Sequence, residues 1–429
     1  MTAAVEGSPR CEVPLRIAVI HHPRSMLPMA LYEKVRAAAE LIFVLDDECA
    51  TDPTALRVLG RFGTTVDVSG LDPEAAAYRI AEHRPDGVVA VIDELLERAA
   101  AIAALLGLPY HSPHTANALA DKRLQREVLR RAGVAGPRFA PLVAGLSRGR
   151  AAELARTVGV PAVLKPARGA GSRGMRLVGG TDDLLAQLRG EPDGSAYVLE
   201  EYLADDPEID ARFGSYVSVE SVVSAGTLSH AGITGRLPIA DHFRETGTFA
   251  PAALSATGEA AVLRLVEDAL RALEVTDAVV NTEVKLTPTG PRIVEVNGRL
   301  GGRGPFVVQR ASGVNLFEIA CRVAAGVPVR LDGLAPCDGV AYIVMVQPPE
   351  HARRVVSVDG LEALTSIEGV EAVRLDRAPG DPVDWRDGTE AHVLVVRGRA
   401  ADHSALLSSA AAIERDVRFS YEEEPRATP

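Results

Sequence analysis

Between Asn281 and Gly302 the chain reads NTEVKLTPTGPRIVEVNGRLGG, and no other stretch restricts the fold as much. Val284, Leu286, Val294 and Val296 alternate with polar residues on either side of Pro288-Thr289-Gly290, the pattern of two β-strands joined by a tight turn. A three-residue connection with Gly290 in a left-handed conformation pairs Glu283 with Glu295 and Val284 with Val294. Residues two apart on a strand share a face, so Glu283 lies with Lys285 and Glu295 with Asn297. Both glutamates then point to one side of a sheet and the four apolar residues to the other. Two carboxylates and an amide oxygen on one face form a hard-oxygen site suited to Mg²⁺, or to Mn²⁺ in its place, with phosphate and water filling the remaining positions. Histidine and cysteine ligands for zinc are missing from this stretch. The plainer alternative is a solvated polar face; one glutamate on one strand favours it, whereas the paired register with Asn297 and Arg299 favours the metal.

A second informative stretch is VLKPARGAGSRGMRLV, in which a strand ends at Lys165 and a loop with Gly169, Gly171, Ser172 and Gly174 returns into another strand. Glycines let backbone N–H groups approach phosphate oxygens, and a lysine adds a point charge. The loop leads to a strand rather than a helix and lacks GxxxxGK[ST], so it is no Walker-type P-loop. A plain mobile turn is its competing reading.

The rest of the chain falls into three parts. At 429 residues it is long enough for roughly three domains. From Leu15 the runs LRIAVI, LIFVL, TTVDV and DGVVAVI alternate with helical patterns, which predicts a small parallel α/β domain over 1–118. The first strand is followed by His21-His22-Pro23-Arg24 and not by GxGxxG, so a dinucleotide fingerprint is absent. Ser112-Pro113 opens a helix predicted to run through ANALADKRLQREVLRRAG to Gly133. A β-rich middle over 119–330, interrupted by a helix at Ala260 to Leu273, is followed by a separate α+β appendage over 331–429. Residues 1–13 and the terminal YEEEPRATP are expected to fray.

The balance of 46 Lys+Arg against 58 Asp+Glu gives a net charge of −12, which repels nucleic acid and anionic lipid. Neither is an expected partner, and anionic small molecules must be met by local basic groups. Cys11, Cys49, Cys321 and Cys337 form no CxxC or CxxH cluster and read as reduced thiols of a cytoplasmic protein. Glu6, Arg10 and Glu12 precede only a short apolar run, unlike a signal peptide.

The two stretches, in this order and with VLEEYL between them, resemble the ATP-grasp superfamily over about Leu119 to Val329. Within it the chain is similar to the carboxylate–amine ligases that join amino acids, on the strength of NTEVKLTPTGPRIVEVNGRLGG and of FRETGTFAPAAL (Phe243 to Leu254). The resemblance implies an N-terminal Rossmann-like parallel-sheet domain, a two-part core with a flap subdomain at about 135–203, and the C-terminal α+β domain. It implies that Lys122 and Lys165 contact phosphates beneath the Gly169, Gly171, Ser172 and Gly174 flap. Glu200, Glu201, Tyr202 and Leu203 correspond to the hinge that binds adenine through backbone groups. Glu283, Glu295 and Asn297 correspond to the magnesium ligands, and Arg299 to the arginine that holds the reacting carboxylate and its acyl phosphate. Tyr216 stands where relatives carry a glutamate, so Glu208 or Glu220 becomes the ribose contact. Gly298 replaces the alanine of NAR and should loosen the backbone there.

Gly301 and Gly302, with His230 and Arg236 near the supposed acceptor pocket, are candidates for substrate binding. Arg303 and Arg310 either hold a substrate carboxylate or solvate a helix start, and His21 and His22 read best as an ordinary loop. The implied activity is an ATP-dependent, ADP-forming ligase that couples a small-molecule carboxylate to an amine through an acyl phosphate, most simply two amino-acid-like substrates. A homodimer is compatible with this. Two alternatives stay open: a ligase acting on a carrier-protein-bound or nucleotide-precursor substrate, and a nucleotide-binding protein without turnover.

Overall fold

The computed structural model describes residues 14–22, 28–46 and 53–423. Cys11, Cys49, Pro23 and Arg24 lie outside the described residues, as do Glu6, Arg10 and Glu12. The four apolar runs near the N-terminus form β1 (Leu15–His21), β2 (Ala39–Leu45), β3 (Thr64–Asp67) and β4 (Gly87–Ala90), parallel in the order β3-β2-β1-β4. Strand alternation assigns their side chains to two cores. Ala18, Ile20, Ile42 and Val44 pack with the helix Leu96–Leu106 on one face, while Ile17, Val19, Leu41 and Phe43 meet the helix Leu316–Ala324 on the other. Near-continuous hydrophobic runs are what a parallel sheet covered on both faces requires.

The helix expected from Ser112 to Gly133 is two helices, Pro113–Ala120 and Lys122–Arg131. Ser112 caps the first, its hydroxyl accepting from the Thr115 N–H. Asp121 adopts an extended conformation between them and caps the second, accepting from the Arg123 N–H at 2.9 Å. An aspartate that bonds its own downstream amides competes with helix continuation. The break frees the Lys122 N–H for the Ala167 carbonyl (2.9 Å), which ties this helix start to the base of the glycine loop.

The region expected as a flap subdomain contains an antiparallel sheet of β5 (Phe139–Val143), β6 (Ala162–Pro166), β7 (Arg176–Val178) and β8 (Ala196–Glu201), in the order β5-β8-β6-β7. The main sheet starts with β9 (Gly214–Ser224), β10 (Thr227–Arg236), β11 (Gly247–Ala250), β12 (Ala278–Thr287) and β13 (Gly290–Asn297). One face packs on the helix Ala256–Ala272 through Val217, Val219, Val280 and Val284 against Val262, Val266 and Ala269. The C-terminal region, expected as a separate appendage, continues this same sheet. Of β14 (Val340–Val346), β15 (Ala352–Asp359), β16 (Val370–Leu375), β17 (Leu394–Ala400) and β18 (Arg418–Glu423), three strands join it, in the order β13-β12-β9-β10-β11-β14-β17-β16. The physical reason is the edge of β11, whose Gly247 to Ala250 pair with Val344 to Ala341. Strands β15 and β18 form a ribbon, so Tyr421 to Glu423, expected to fray, are paired. Among the described residues no helix is long and apolar enough to cross a membrane, and Cys321 and Cys337 are free thiols.

Glu283 does pair with Glu295, by a different route from the one expected. The turn has two residues, Thr287 pairing Gly290 (φ +102°), and a bulge next to Glu283 shifts the register so that Val284 pairs with Ile293. Ile293 is therefore fully buried, and Val294, assigned to the apolar face from the alternation, is only half-buried.

Candidate active site

The bulged hairpin sets Glu283, Glu295 and Asn297 on the sheet face away from the helix Ala256–Ala272, as the alternation predicts. Lys122, at the start of its helix, reaches Glu295 Oε1 at 2.9 Å and donates to the Gly169 carbonyl at 2.6 Å. Burial would raise both carboxyls. For Glu295 the charges of Lys122, Lys165 and Arg126 outweigh it and hold the group below its ordinary range. For Glu283 burial prevails, reinforced by the Glu295 charge, and its carboxyl is pushed up. Two adjacent carboxylates of which one resists ionisation form a site that a cation would complete.

The donor set fits Mg²⁺ with one adjustment. Among the described residues no group of three or more His, Cys, Asp or Glu converges, so the site consists of two carboxylates and an amide. Asn297 aims Nδ2 at Asn281 Oδ1 (3.2 Å) and Glu283 Oε1 (3.5 Å), and its Oδ1 accepts from Arg299 at 3.4 Å. Ligation through Oδ1 requires the amide to turn.

Lys165, the last polar residue of β6, forms a buried ion pair with Glu200 on β8 at 2.7 Å. Arg126, one turn after Lys122, pairs with the same carboxylate at 2.6 Å. Burial pushes Glu200 up, but Arg126 and Lys165 outweigh it and hold its carboxyl at about 2. The loop from Gly169 to Gly174 arches beside these lysines. Gly169, Gly171, Ser172 and Gly174 all have positive φ, and the Ser172 hydroxyl donates to the Phe243 carbonyl at 2.8 Å.

Arg299 is half-buried against Asp93, donating from Nε at 3.1 Å, and pairs with it again through Nη2. Asp93 comes from a short 3₁₀ turn after β4, in the N-terminal domain. The next residue, Glu94, holds Arg173 of the flap at 3.2 Å. Farther along the sheet face, Arg236 is buried and pairs with Glu245 at 2.8 Å. It also donates to Thr234, Ser218 and Thr248 and lies over the Tyr216 ring. Nε, Nη1 and Nη2 each have a partner, so Arg236 is held in place against Glu245.

Some expected residues sit elsewhere. His230 faces the helix Ala256–Ala272, with Nδ1 at 2.9 Å from the Ser221 hydroxyl and Nε2 at 3.7 Å from Glu267; a bulge after His230 leaves it on the opposite face from Thr234 and Arg236. Glu220 is fully buried, accepts from Asn281 Nδ2 at 2.8 Å, and lies under Gly301 and Gly304, where a Cβ on either glycine would strike its carboxyl. Its carboxyl is enclosed there. Burial raises its carboxyl to about 7. Glu208 sits exposed in a turn, its N–H bonded to Asp206. Glu201 and Tyr202 commit their N–H groups to the Arg138 and Pro161 carbonyls (2.9 and 3.2 Å), and Leu203 follows them. Gly302 is open, and a Cβ on Gly298 would meet Leu119 and His111 at 2.6 and 2.9 Å. Gly298 therefore permits tight packing rather than loosening. Arg303 and Arg310 pair with Glu390 and Glu371 of the C-terminal region. His21 ends β1 buried against Phe43, its imidazole lowered to about 4 by burial.

Asp93, Arg126 and Glu245 escaped the sequence reading. Arg126 shares a helix face with Lys122, and Glu245 lies in FRETGTFAPAAL, so both carried a local signal; Asp93, 206 positions from Arg299, carried none.

No family model matches the chain. It is 28% identical over 406 residues to the uncharacterized protein y4rH of Sinorhizobium fredii, covering 90% of this chain and 76% of that one. It is 27% identical over 319 residues to human carnosine synthase 1, and the match spans 68% of this chain but 37% of that protein's length. Among solved structures, a carboxyaminoimidazole ribonucleotide synthase from Aspergillus clavatus, complexed with ATP, superposes with a TM-score of 0.71 at 16% identity, covering 94% of this chain and 99% of that one. The fold is thus the ATP-grasp architecture, which structures of carboxylate–amine ligases share. Within that class it is similar to the L-amino acid ligase from Bacillus licheniformis, with a TM-score of 0.75 and 19% identity over 95% of this chain and 99% of that one.

Proposed function

We propose that the protein is an ATP-dependent ligase that joins a carboxylate to an amine, most simply two amino-acid-like small molecules, with release of ADP and phosphate. The observation that carries this reading is the convergence of Lys122, Lys165, Glu283, Glu295, Asn297 and Arg299 beside the glycine hairpin. A carboxylate oxygen attacks the γ-phosphorus, the bond from that phosphorus to the β–γ bridging oxygen breaks, and ADP leaves. The amine then attacks the acyl carbon, phosphate departs, and the amine's proton passes to phosphate or a nearby carboxylate.

Lys122 and Lys165, now held by Glu295 and Glu200, offer their ammonium groups to phosphate oxygens. Arg299, oriented by Asp93, holds the reacting carboxylate and the acyl phosphate it becomes. The 169–174 hairpin covers the phosphates and keeps water from the activated acyl group. Bound Mg²⁺, held by Glu283, Glu295 and Asn297, would supply charge neutralisation at the phosphates. The likeness to an L-amino acid ligase and to carnosine synthase 1 supports amino-acid-like substrates, and the likeness to a ribonucleotide synthase supports a nucleotide precursor.

The test is a mass-spectrometric screen of amino acid pairs with ATP and Mg²⁺, run beside carrier-protein and nucleotide-precursor substrates. Amide from amino acid pairs is expected. Amide only from the latter substrates moves the protein to that reading, and no ADP release with any of them overturns the ligase assignment.

A further inference from the structure

Between β16 and β17 the segment Trp385–Ala391 forms a 3₁₀ stretch broken at Gly388, whose φ is +68° and ψ −138°. Its next residue, Thr389, is buried and bonds in four directions. The Thr389 N–H donates to the carbonyl of Gly171, at the tip of the flap hairpin, at 3.0 Å. Its hydroxyl oxygen accepts from the Glu245 N–H at 3.2 Å. Its carbonyl accepts from Gln347 Nε2 at 3.0 Å and lies 2.9 Å from His392 Nδ1.

The same two partners meet through other bonds. Gln347 Nε2 also donates to the Glu245 carbonyl at 2.7 Å, and Ser172, beside Gly171, donates to the carbonyl of Phe243, two residues before Glu245. The other ring nitrogen of His392 lies 2.8 Å from Asp376, and the Trp385 ring stacks on His242 at 3.7 Å. The segment is thus anchored on both sides of Thr389. A Cβ on Gly388 would overlap the Gly171 carbonyl oxygen and approach the Arg173 N at 3.1 Å. Only a glycine lets the two backbones come this close, and its left-handed φ independently disfavours a side chain.

We propose that Gly388-Thr389 is the catch that receives the flap, and that Thr389 is a positioning residue coupling flap closure to the Arg236–Glu245 row of the substrate face. Because one residue bonds both the flap tip and the Glu245 backbone, the nucleotide side and the substrate side close together. The consequence is exclusion of water from the activated carboxylate until the amine attacks. This rests on the reading of 169–174 as the cover over ATP phosphates.

Trypsin provides one readout, since Arg168 and Arg173 lie at the flap. Wild type is to be digested with and without β,γ-imido-ATP and Mg²⁺, and the nucleotide should protect these two sites. The second readout is the ADP-to-hydroxamate ratio with hydroxylamine added to a mixture of the twenty amino acids, any dipeptide formed being counted with the hydroxamate. Gly388→Ala should lose protection, cleavage with nucleotide rising about tenfold, the scale of one lost hydrogen bond. Thr389→Val keeps the N–H that binds Gly171 and the Gln347 bridge but removes the direct hydroxyl bond to the Glu245 N–H. It should keep protection and raise the ADP-to-hydroxamate ratio about tenfold, which a merely structural role would not do. If Gly388→Ala does not fold, the ratio in Thr389→Val decides. Wild-type protection with a wild-type ratio in Thr389→Val overturns the coupling alone. Absence of nucleotide-dependent protection in wild type itself overturns the flap reading, and the catch with it.

Discussion

Glu283 and Glu295 are the same residue type on facing strands, yet their carboxyls are driven in opposite directions, one up by burial and its neighbour's charge, the other down by Lys122 and Lys165. A cation placed between them answers both demands. Glu295→Gln should therefore lower kcat by at least ~10²-fold with the fold intact, by analogy with loss of one preorganised electrostatic group, and with altered Mg²⁺ dependence. Steady-state kinetics across a Mg²⁺ titration checks this, and near-normal turnover would return the pair to a solvated face. Glu220 gives a pH prediction. Its folded carboxyl lies at about 7 against an ordinary 4.5. Below the lower value both states bind the proton; between the two the unfolded chain ionises first, so stability falls as pH rises through this window and then levels off. Glu220→Gln should abolish that fall and gain on the order of 3 kcal/mol relative to wild type above it. Thermal melts at about pH 5 and pH 8 measure the difference. The shared face of Glu283 and Glu295 was legible from the strand period alone. The burial of Glu220 was not, because it depends on Gly301 and Gly304 folding over it from another part of the chain.

At the scale of elements, the glycine hairpin stands on a buried triad of Glu200, Lys165 and Arg126 drawn from β8, β6 and a helix. Removing one partner of such a group leaves a buried charge uncompensated. Glu200→Gln should cost about 3–5 kcal/mol, seen as a lowered Tm, whereas Lys165→Ala should chiefly weaken ATP binding, measured calorimetrically. Equal nucleotide affinity in Lys165→Ala would remove this lysine from the phosphate site. The hairpin itself was readable, since Gly169, Gly171 and Gly174 interrupt two apolar runs. The helix break at Asp121 was not, because Asp121 is compatible with a helix interior locally and the extended conformation is selected by the Arg123 cap and the Lys122 N–H bond to Ala167. The bulge beside Glu283 is a similar case: period and turn length give the glutamate pairing only when one extra residue is placed in β13.

At the scale of the whole molecule, the candidate site draws on all three regions: Asp93 from the first, the carboxylates and lysines from the second, and, on the proposal above, Thr389 from the third. Turnover should release ADP and phosphate, which nucleotide chromatography distinguishes from AMP and pyrophosphate. Arg299→Ala should abolish acyl phosphate formation while ATP still binds; hydroxamate trapping and a binding isotherm report the two separately. The order of elements, the parallel N-terminal sheet, the paired strands with their carboxylates and the lysine–glycine hairpin follow from the chain alone, because periodicity, turn residues and side-chain chemistry are local properties. What tertiary structure decided is which distant residues meet. Arg299 finds Asp93, Arg236 pairs with Glu245, His230 turns to the opposite face, and the C-terminal strands extend the core sheet rather than standing apart. Each of these depends on a strand edge, a bulge or a buried charge finding its partner across long stretches of sequence, and no local pattern encodes the partner.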